Sequence, residues 1–367
     1  MPEPLGVALF GCGGVSTGHF SAYATNPKAR LVAAVDVRPE LAEAAAKKWG
    51  AEHWYTSTAE ALANPDVQIA DLCLPHHLHA PVAIEAANAG KHVFVEKPIA
   101  NTLEEADAMI AACRENHVLL MVDQTKRYQN RHRKLKELLD AGYVGDPILV
   151  RGAYLQDITY AWQHMEPARL KGYWKHDGVI SGIGIHALDL QRWLIGEAVE
   201  VRAIASTSDM IDPERRTEDS GIVLLTFANG CIGEMTVSYV LKHPHLGASW
   251  DVMPIEIYGR DGSIMMDEHD TITVTSDKIG GAAGPGVFQV QTRPAVGAPR
   301  LPAEGMAGAI EHLLDCVLNG AQPLTHGEDA RASLELVEAA YQSINEGRAV
   351  RLPLQPAKAP ERVGAAR

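Results

Sequence analysis

The sequence predicts an α/β protein in which a domain with a parallel sheet precedes an α+β domain with a large, mainly antiparallel open sheet. Its 367 residues exceed the roughly 100–200 that one domain usually holds, which favours two domains. In the first third, short apolar runs alternate with Ala-rich helical patterns, as expected for strands covered on both faces. After about residue 125 the strands alternate apolar and polar side chains, which is typical of antiparallel pairing.

The first domain is assigned to residues 1–126. Its apolar runs predict strands at 5–10, 30–36, 69–74, 92–95 and 118–122. Helical patterns between these runs predict helices at 18–24, 39–49, 58–62, 80–89 and 103–116.

The second domain is assigned to residues 127–352. A helix at 133–141 and a strand at 148–154 precede several strands within 199–274, with hairpin turns at 228–230 and 259–262. Residues 279–302 are rich in Gly, Pro and Ala and are predicted to form a surface loop. Helices are predicted at 305–318 and 327–345. We expect the remaining segment, 353–367, to be a poorly ordered tail.

Composition and charge exclude several classes of protein. No apolar stretch approaches the ~18–20 residues that a membrane span needs, and the first residues do not resemble a signal peptide, so we expect a cytoplasmic protein with no membrane partner. Five scattered cysteines indicate neither a disulfide framework nor a structural zinc site. The formal net charge of −13 argues against a nucleic-acid partner, because phosphate binding depends on Lys and Arg.

The segment "LFGCGGVS", residues 9–16, carries the first functional motif. Gly11 and Gly13 follow a predicted strand and open a helix, while Asp36 ends the next strand at the spacing of a dinucleotide-binding Rossmann domain. Glycines let the backbone approach a pyrophosphate, whose charge is met by N–H groups at the helix start. Ser16 occupies the third small position, where glycine is usual. A purely structural turn is the alternative interpretation.

Asp36 favours NAD as the cofactor, because a carboxylate there accepts a hydrogen bond from the ribose 2′-hydroxyl and repels a 2′-phosphate. Arg38 could meet such a phosphate, so NADP stays open. His19, one turn into the helix, is expected to be packed or hydrogen-bonded locally. The predicted cofactor contacts in this part of the chain are Gly11, Cys12, Gly13, Gly14, Val15, Asp36, Val37 and Arg38.

Four segments resemble one enzyme family: "GCGG" at 11–14, "CLPHHLHAPVAIEAANAGKHV" at 73–93, "AGKHVFVEKPIANTLEEAD" at 89–107 and "GIHALDLQRWL" at 184–194. These residues are similar to those of the Gfo/Idh/MocA oxidoreductases, relatives of glucose–fructose oxidoreductase and inositol dehydrogenase. The likeness covers nearly the whole chain and is strongest over residues 5–128. It implies NAD-dependent oxidation or reduction of a secondary hydroxyl on a sugar, glycoside or cyclitol.

The resemblance also implies individual roles. Lys97 would lie between nicotinamide and substrate and assist proton transfer, Glu96 would shape the nicotinamide pocket, and Pro98 would follow a cis peptide. His186 would contact the reacting hydroxyl or relay its proton. The segment with Leu74, Pro75, His76 and His79 would line the nicotinamide side of the cofactor. The chemistry agrees, because a lysine near a bound cation in a partly dry site can have a lowered pKa and accept a proton. A surface ion pair is the alternative interpretation of Glu96 and Lys97.

One position departs from the family. An aspartate usually stands four residues before the histidine that matches His186, and here that position is Gly182. Asp177 or Asp189 could supply the missing carboxylate. Asp189 is three residues after His186 and would share its helix face, so we expect it to be the first candidate.

Aromatic and polar side chains could line a sugar site, since an aromatic face suits the apolar face of a sugar ring. The candidates are Arg127, Tyr128, Tyr154, Trp162, Tyr173, Trp174, Lys175 and His176. No metal is expected, because the spacing of His76, His77 and His79 is not that of a zinc site. Two alternative functions stay open, redox-assisted glycoside cleavage with NAD recycled in place and a non-catalytic NAD-sensing regulator. A homodimer or homotetramer through the open sheet face is expected.

Overall fold

Six parallel strands form the first sheet of the computed structural model, which describes residues 3–159, 178–208, 210, 217–242, 252–281, 284–292 and 303–354. The strands are β1 (Leu5–Phe10), β2 (Ala29–Val35), β3 (His53–Tyr55), β4 (Ile69–Leu72), β5 (His92–Val95) and β6 (Leu120–Val122). Their order is β3-β2-β1-β4-β5-β6, the doubly wound order of a Rossmann domain. The predicted parallel sheet is therefore confirmed, and β3 is the one strand among these six that the sequence analysis missed.

Helices cover both faces of this sheet. The first five are α1 (Ser16–Ala24), α2 (Pro39–Trp49), α3 (Thr58–Ala63), α4 (His79–Asn88) and α5 (Leu103–Glu115). Residues of α3, α4 and α5 share one apolar core with the sheet, and residues of α1 and α2 belong to a core on the opposite face. Apolar side chains on both faces explain why these strands have no polar alternation.

A mixed sheet of nine strands forms the second part. Its strands are β7 (Pro147–Leu155), β8 (Ala198–Ser206), β9 (Ser220–Phe227), β10 (Ile232–Ser238), β11 (Ile255–Gly259), β12 (Gly262–Met266), β13 (Thr271–Gly281), β14 (Gly284–Gln291) and β15 (Val350–Arg351). The order is β14-β13-β12-β11-β7-β10-β9-β8-β15. Only β7 and β10 pair in parallel, so the prediction of a mainly antiparallel open sheet is confirmed.

Four more helices complete the described fold: α6 (Asn130–Asp140), α7 (Ile185–Ile195), α8 (Gly305–Asn319) and α9 (Gly327–Glu346). Helices α7 and α9 contribute to the core on one face of the nine-stranded sheet. Helix α8 instead packs on the first sheet, where Leu313 and Leu314 join the core of Leu5 and Val7. A helix from the C-terminal part of the chain therefore completes the N-terminal domain.

The predicted surface loop at 279–302 is wrong for its described residues. Strands β13 and β14 pair in antiparallel register through Ser276 and Gly286, and Gly284 takes a positive φ of 124° where β14 begins. The Gly, Pro and Ala content hid a strand that is mostly exposed. Residues 293–302 and most of the predicted tail, 355–367, lie outside the described residues. None of the helices in the described part of the chain is long and apolar enough to cross a membrane.

Candidate active site

The predicted cofactor residues gather at one edge of the first sheet. The glycine-rich loop follows β1, Asp36 follows β2, Leu74 lies beyond β4, and Glu96 follows β5. Carboxyl ends of parallel strands lie at the same edge, and ligands of such sheets bind where the strand order reverses, which is between β1 and β4 here. The fold thus brings these segments together.

The glycine-rich loop has a space for a ligand. Gly11 has a φ of 91°, and a Cβ there would overlap the carbonyl oxygen of Cys73, so only glycine fits. A Cβ on Gly13 or Gly14 would meet no atom within 4 Å, which leaves the loop open to a pyrophosphate. Ser16 Oγ donates to the Gly13 carbonyl oxygen at 2.7 Å, so this serine holds the turn in place of the usual glycine.

Asp36 is buried beside this loop and stays ionised. Its Oδ2 accepts a hydrogen bond from the Cys12 N–H at 2.9 Å, and its Oδ1 accepts one from the Arg38 N–H at 3.0 Å. Burial acts to raise the pKa of Asp36, but these backbone hydrogen bonds and the Arg38 side chain outweigh it, and the pKa is lowered. The neighbouring Val37 side chain is 84% exposed and packs against nothing substantial. The carboxylate is thus charged and held against the glycine-rich loop.

We expect Asp36→Ser to weaken NAD binding by roughly 10- to 150-fold, since a hydrogen bond to a charged group contributes ~1.5–3 kcal/mol. The preference for NAD over NADP should narrow at the same time, because the repulsion of a 2′-phosphate is lost while Arg38 remains. The measurement is the Kd of each cofactor, with Asp36→Asn as the variant that removes the charge but keeps an acceptor. A wild-type enzyme that already prefers NADP would contradict the assignment.

Lys97 reaches from the first sheet to the second part of the chain. Its N–H donates to Glu96 Oε2 at 3.0 Å, and its Nζ donates to the carbonyl oxygen of Gly182 at 2.7 Å. Gly182 belongs to a π-helical turn, Ile180–Gly184, which leads directly into α7. The Lys97–Pro98 peptide is cis, as the resemblance implied. The side-chain nitrogen of Lys97 therefore lies next to the π-helical turn that precedes His186.

His186 lies in the first turn of α7 and is 7% exposed. Its Nδ1 is buried without a hydrogen-bond partner in the described part of the chain, and the Tyr154 ring centroid lies 6.1 Å from its own. Burial lowers the pKa of His186, and the positive charges of Lys97, Lys126 and His132 lower it further. The imidazole is consequently neutral at physiological pH and can accept a proton.

The expectation that Asp189 supports His186 is wrong. Both Asp189 oxygens are engaged by Arg127, whose Nε and Nη2 donate at 2.8 and 2.7 Å, and Ser333 Oγ donates to Oδ1 at 2.7 Å. Asp189 is fully buried and Arg127 is 2% exposed. Helix spacing alone missed an arginine from outside the helix. The pair binds α7 to the segment after β6, and neither residue has a side chain available to a sugar.

The other substrate candidates divide into three groups. Tyr128 is buried in the core of the first sheet, and its hydroxyl lies 3.3 Å from Thr325 Oγ1, so it is a packing residue. Tyr154 lies beside His186, with Lys126 Nζ 4.9 Å from its ring centroid. The remaining candidates, Trp162, Tyr173, Trp174, Lys175, His176 and Asp177, lie outside the described residues.

The three histidines after β4 have different surroundings, and the ring centroids of His76 and His79 lie 5.5 Å apart. The ring nitrogens of His79 lie 2.9 Å from the carbonyl oxygens of Pro98 and Leu74, so His79 ties the β4 segment to the turn after Lys97. Burial and the Lys97 charge lower the pKa of His76 to about 3, which makes it neutral. His77 is exposed. His79 thus has a positioning role at the predicted nicotinamide edge.

A buried charge cluster below Lys97 was missed in the sequence. His19 Nδ1 lies 2.8 Å from Asp71 Oδ2, and its Nε2 lies 3.3 Å from Glu96 Oε1 and 3.5 Å from Asp123 Oδ2. Burial lowers the pKa of His19, but Asp71 outweighs it and raises the pKa well above its usual value. The partners of His19 are therefore long-range and not local. A carboxylate inside the apolar β4 run, and another just after β6, were the available signals.

Burial raises the pKa of Glu96, but the hydrogen bond and charge of His19, together with Lys97, outweigh burial and lower it. Burial and the charge of Glu96 raise the pKa of Asp123 well above its usual value. The surroundings therefore favour the ionised form of Glu96 next to Lys97 and the protonated form of Asp123. The charge of His19 in this cluster stabilises the ionised form of Glu96, the residue that follows β5.

A glycine-rich loop, a buried carboxylate for a ribose and a lysine–histidine pair at one sheet edge define a dinucleotide-dependent oxidoreductase. The chain belongs to the Gfo/Idh/MocA oxidoreductase family. The family's NAD-binding Rossmann fold matches residues 5–124, and its C-terminal α/β domain matches residues 136–352.

The characterised relatives include three sugar and cyclitol dehydrogenases. A levoglucosan dehydrogenase of Pseudarthrobacter phenanthrenivorans is 30% identical over 72% of this chain and 74% of the relative. A D-apiose dehydrogenase of Paraburkholderia graminis is 28% identical, over 96% of this chain and 91% of the relative. A scyllo-inositol 2-dehydrogenase (NAD(+)) of Bacillus subtilis is 27% identical, over 97% and 99%.

Solved structures agree with this assignment. The structure of levoglucosan dehydrogenase in complex with NADH and levoglucosan has a TM-score of 0.83 and 27% sequence identity to this chain. It covers 96% of this chain, and this chain covers all of it. Both domains are therefore those of the family.

Proposed function

We propose that this protein oxidises a secondary hydroxyl of a sugar, glycoside or cyclitol with NAD⁺, or reduces the corresponding ketone with NADH. The observation that carries the proposal is the hydrogen bond of 2.7 Å between Lys97 Nζ and the Gly182 carbonyl oxygen. It holds the ammonium group one helical turn from His186. Two groups that can move a proton therefore lie at the edge where the nicotinamide of a bound dinucleotide is expected.

The residues present fit NAD, because the loop at Gly13 and Gly14 is open and Asp36 is ionised. When bound, NAD⁺ supplies the acceptor for the hydride that leaves the carbinol carbon. Lys97 in its neutral amine form takes the hydroxyl proton as the carbon–oxygen double bond forms, and becomes the ammonium form. His186, held neutral by its surroundings, accepts a hydrogen bond from the hydroxyl or receives its proton.

The polyol class is supported by the relatives, which are named for levoglucosan, D-apiose and scyllo-inositol. All three compounds carry secondary hydroxyls on a ring. Among the described aromatic candidates, Tyr154 packs beside His186, with Lys126 Nζ 4.9 Å from its ring centroid. The carbon that is oxidised stays open.

The test is the appearance of NADH absorbance when the purified protein is mixed with NAD⁺ and single sugars, glycosides or inositols. We expect one compound to give turnover and to yield a ketone. Cleavage of a glycoside without net NADH would favour redox-assisted glycoside cleavage. Tight NAD binding with no conversion of any compound would contradict the proposal and favour a regulator.

We propose that the open face of the nine-stranded sheet joins copies of the chain into a homodimer or homotetramer. Ile204, Ile222, Leu224 and Ile232 are 38–59% exposed on neighbouring strands of this face. Contiguous apolar side chains on a surface mark interaction sites. Ile222→Glu is therefore expected to lower the molecular mass measured by light scattering, while Ile148→Glu, at the start of β7, leaves it unchanged. A monomeric wild type would contradict the proposal.

A further inference from the structure

The space beside Gly182 is occupied by a side chain from another element. A Cβ on Gly182 would overlap the hydroxyl oxygen of Tyr239 and would lie 3.2 Å from its ring carbon Cζ. Tyr239 comes directly after β10, and its side chain is fully buried. The atoms of an aspartate carboxyl group are only one and two bonds from Cβ. The Tyr239 hydroxyl therefore lies in the volume that such a carboxyl group would need.

Tyr239 is held firmly in this position. Its N–H donates to the carbonyl oxygen of Asp219 at 2.8 Å, and its own carbonyl oxygen accepts from the Ile158 N–H at 2.9 Å. A buried aromatic ring with a fixed backbone has few alternative rotamers. Glycine at position 182 is consequently the residue that lets this ring reach the turn.

The side chains of Lys97 and Tyr239 both lie against Gly182. Lys97 Nζ donates to the Gly182 carbonyl oxygen, while the Tyr239 hydroxyl lies where the Gly182 side chain would begin. His186 follows four residues later on the same face of the helical segment. A hydroxyl group can both donate and accept hydrogen bonds, whereas an ionised carboxylate only accepts.

We propose that Tyr239 is a positioning residue for the lysine–histidine pair, and that its hydroxyl replaces the carboxylate absent at Gly182. This inference rests on the proposed function. The polar oxygen at this place belongs to Tyr239, which follows β10, and not to a residue of the turn before α7. It carries no negative charge. This replacement explains how the site retains a hydrogen-bonding group beside Gly182, whose carbonyl oxygen binds Lys97, although position 182 has no side chain.

The first test removes only the hydroxyl. We expect Tyr239→Phe to lower kcat by about 10²-fold, the lower end of the range for one acid–base component, with NAD binding preserved. The matched control is Tyr258→Phe on β11, which removes a hydroxyl that bonds Glu256 and is expected to leave kcat unchanged. A Tyr239→Phe enzyme with the wild-type kcat and pH profile would overturn the inference.

The second test restores a carboxylate. Tyr239→Phe removes the oxygen that a Cβ at position 182 would overlap and leaves the ring carbon Cζ as its nearest neighbour, at 3.2 Å. Gly182→Asp added to Tyr239→Phe is therefore expected to recover at least tenfold of the lost kcat. The new negative charge should also raise the pKa of His186. Since the reaction needs the neutral imidazole, the acid limb of the kcat/KM profile is expected to move to higher pH. If Tyr239 had only a packing role, the added carboxylate would not recover kcat, and this outcome would contradict the inference.

A stability measurement checks the shared space independently of activity. Gly182→Ala alone should lower the Tm, because its Cβ overlaps the hydroxyl of a ring that cannot move aside. The same substitution in Tyr239→Phe should cost much less. An equal loss of Tm in the wild-type and Tyr239→Phe backgrounds would contradict the overlap between a side chain at position 182 and the Tyr239 hydroxyl. Absence of turnover in the wild type with every polyol is a different result, which contradicts the proposed function itself.

Discussion

Lys97→Ala is expected to lower kcat by ~10³-fold or more while the Kd for NAD stays close to that of the wild type. The Nζ atom lies at the turn before α7, whereas the residues proposed to hold the dinucleotide are the glycine-rich loop and Asp36. Removing the side-chain nitrogen therefore removes the amine proposed to accept the hydroxyl proton and leaves the predicted phosphate and ribose contacts intact. Steady-state kinetics and titration of NAD by protein fluorescence measure the two quantities separately.

Two further variants make this result specific. Lys97→Met keeps most of the side-chain volume and should be as inactive as Lys97→Ala, because methionine has no amine that could accept a proton. Lys47→Ala, at an exposed position of α2, should behave like the wild type. Near-normal turnover of Lys97→Ala would remove the proposed mechanism, whereas a large loss of NAD affinity would show that Lys97 anchors the cofactor.

Asp189→Ala is expected to lower the free energy of unfolding by ~3–5 kcal/mol, the usual effect of breaking a buried ion pair. The substitution leaves the Arg127 guanidinium buried and without its bidentate partner, although Asp329 Oδ2 still lies 2.9 Å from Nη2. Denaturant unfolding gives the change in stability. The kcat of the folded fraction should stay within the wild-type range, because Asp189 does not contact His186.

The matched control is Asp140→Ala, which removes the exposed partner of Lys136 in α6. A surface ion pair contributes only ~0–1 kcal/mol, so this variant should be nearly as stable as the wild type. If Asp189→Ala instead kept its stability and lost kcat, the carboxylate would act on the reaction, and the assignment of the pair as structural would be wrong.

The sequence was sufficient to predict the first sheet because its strands are continuous apolar runs, and β1 and β5 were predicted with the observed ends. It was insufficient for β3, which has three residues and little burial, and for β14, where glycine and proline stand in a mostly exposed strand. In both cases the pairing partner, and not a local pattern, determines the strand. Such strands give periodicity analysis little signal.

The site shows the same limit. The glycine loop and Asp36 were predictable because the fingerprint is local to one strand–helix unit. The partners of Asp189 and His19 were not, because Arg127 and Ser333, or Asp71 and Glu96, are distant in sequence and meet only in the folded chain. Tyr239 was missed for a further reason. From the sequence, Gly182 shows only that a side chain is absent. The structure is needed to show that the Tyr239 hydroxyl occupies the space of that side chain.

The packing of α8 on the first sheet has a consequence for the order of folding during synthesis. Leu313 and Leu314 cover apolar side chains of β1 on the face that α1 and α2 also cover, so part of this face stays exposed until residue 319 has been synthesised. At ~5–20 residues per second, the wait after residue 126 is roughly 10–40 s. During this interval the nascent first domain exposes the apolar side chains that α8 later covers, and exposed apolar surface of this kind is what chaperones bind. Nascent chains stalled at increasing lengths should become resistant to protease only once α8 has emerged.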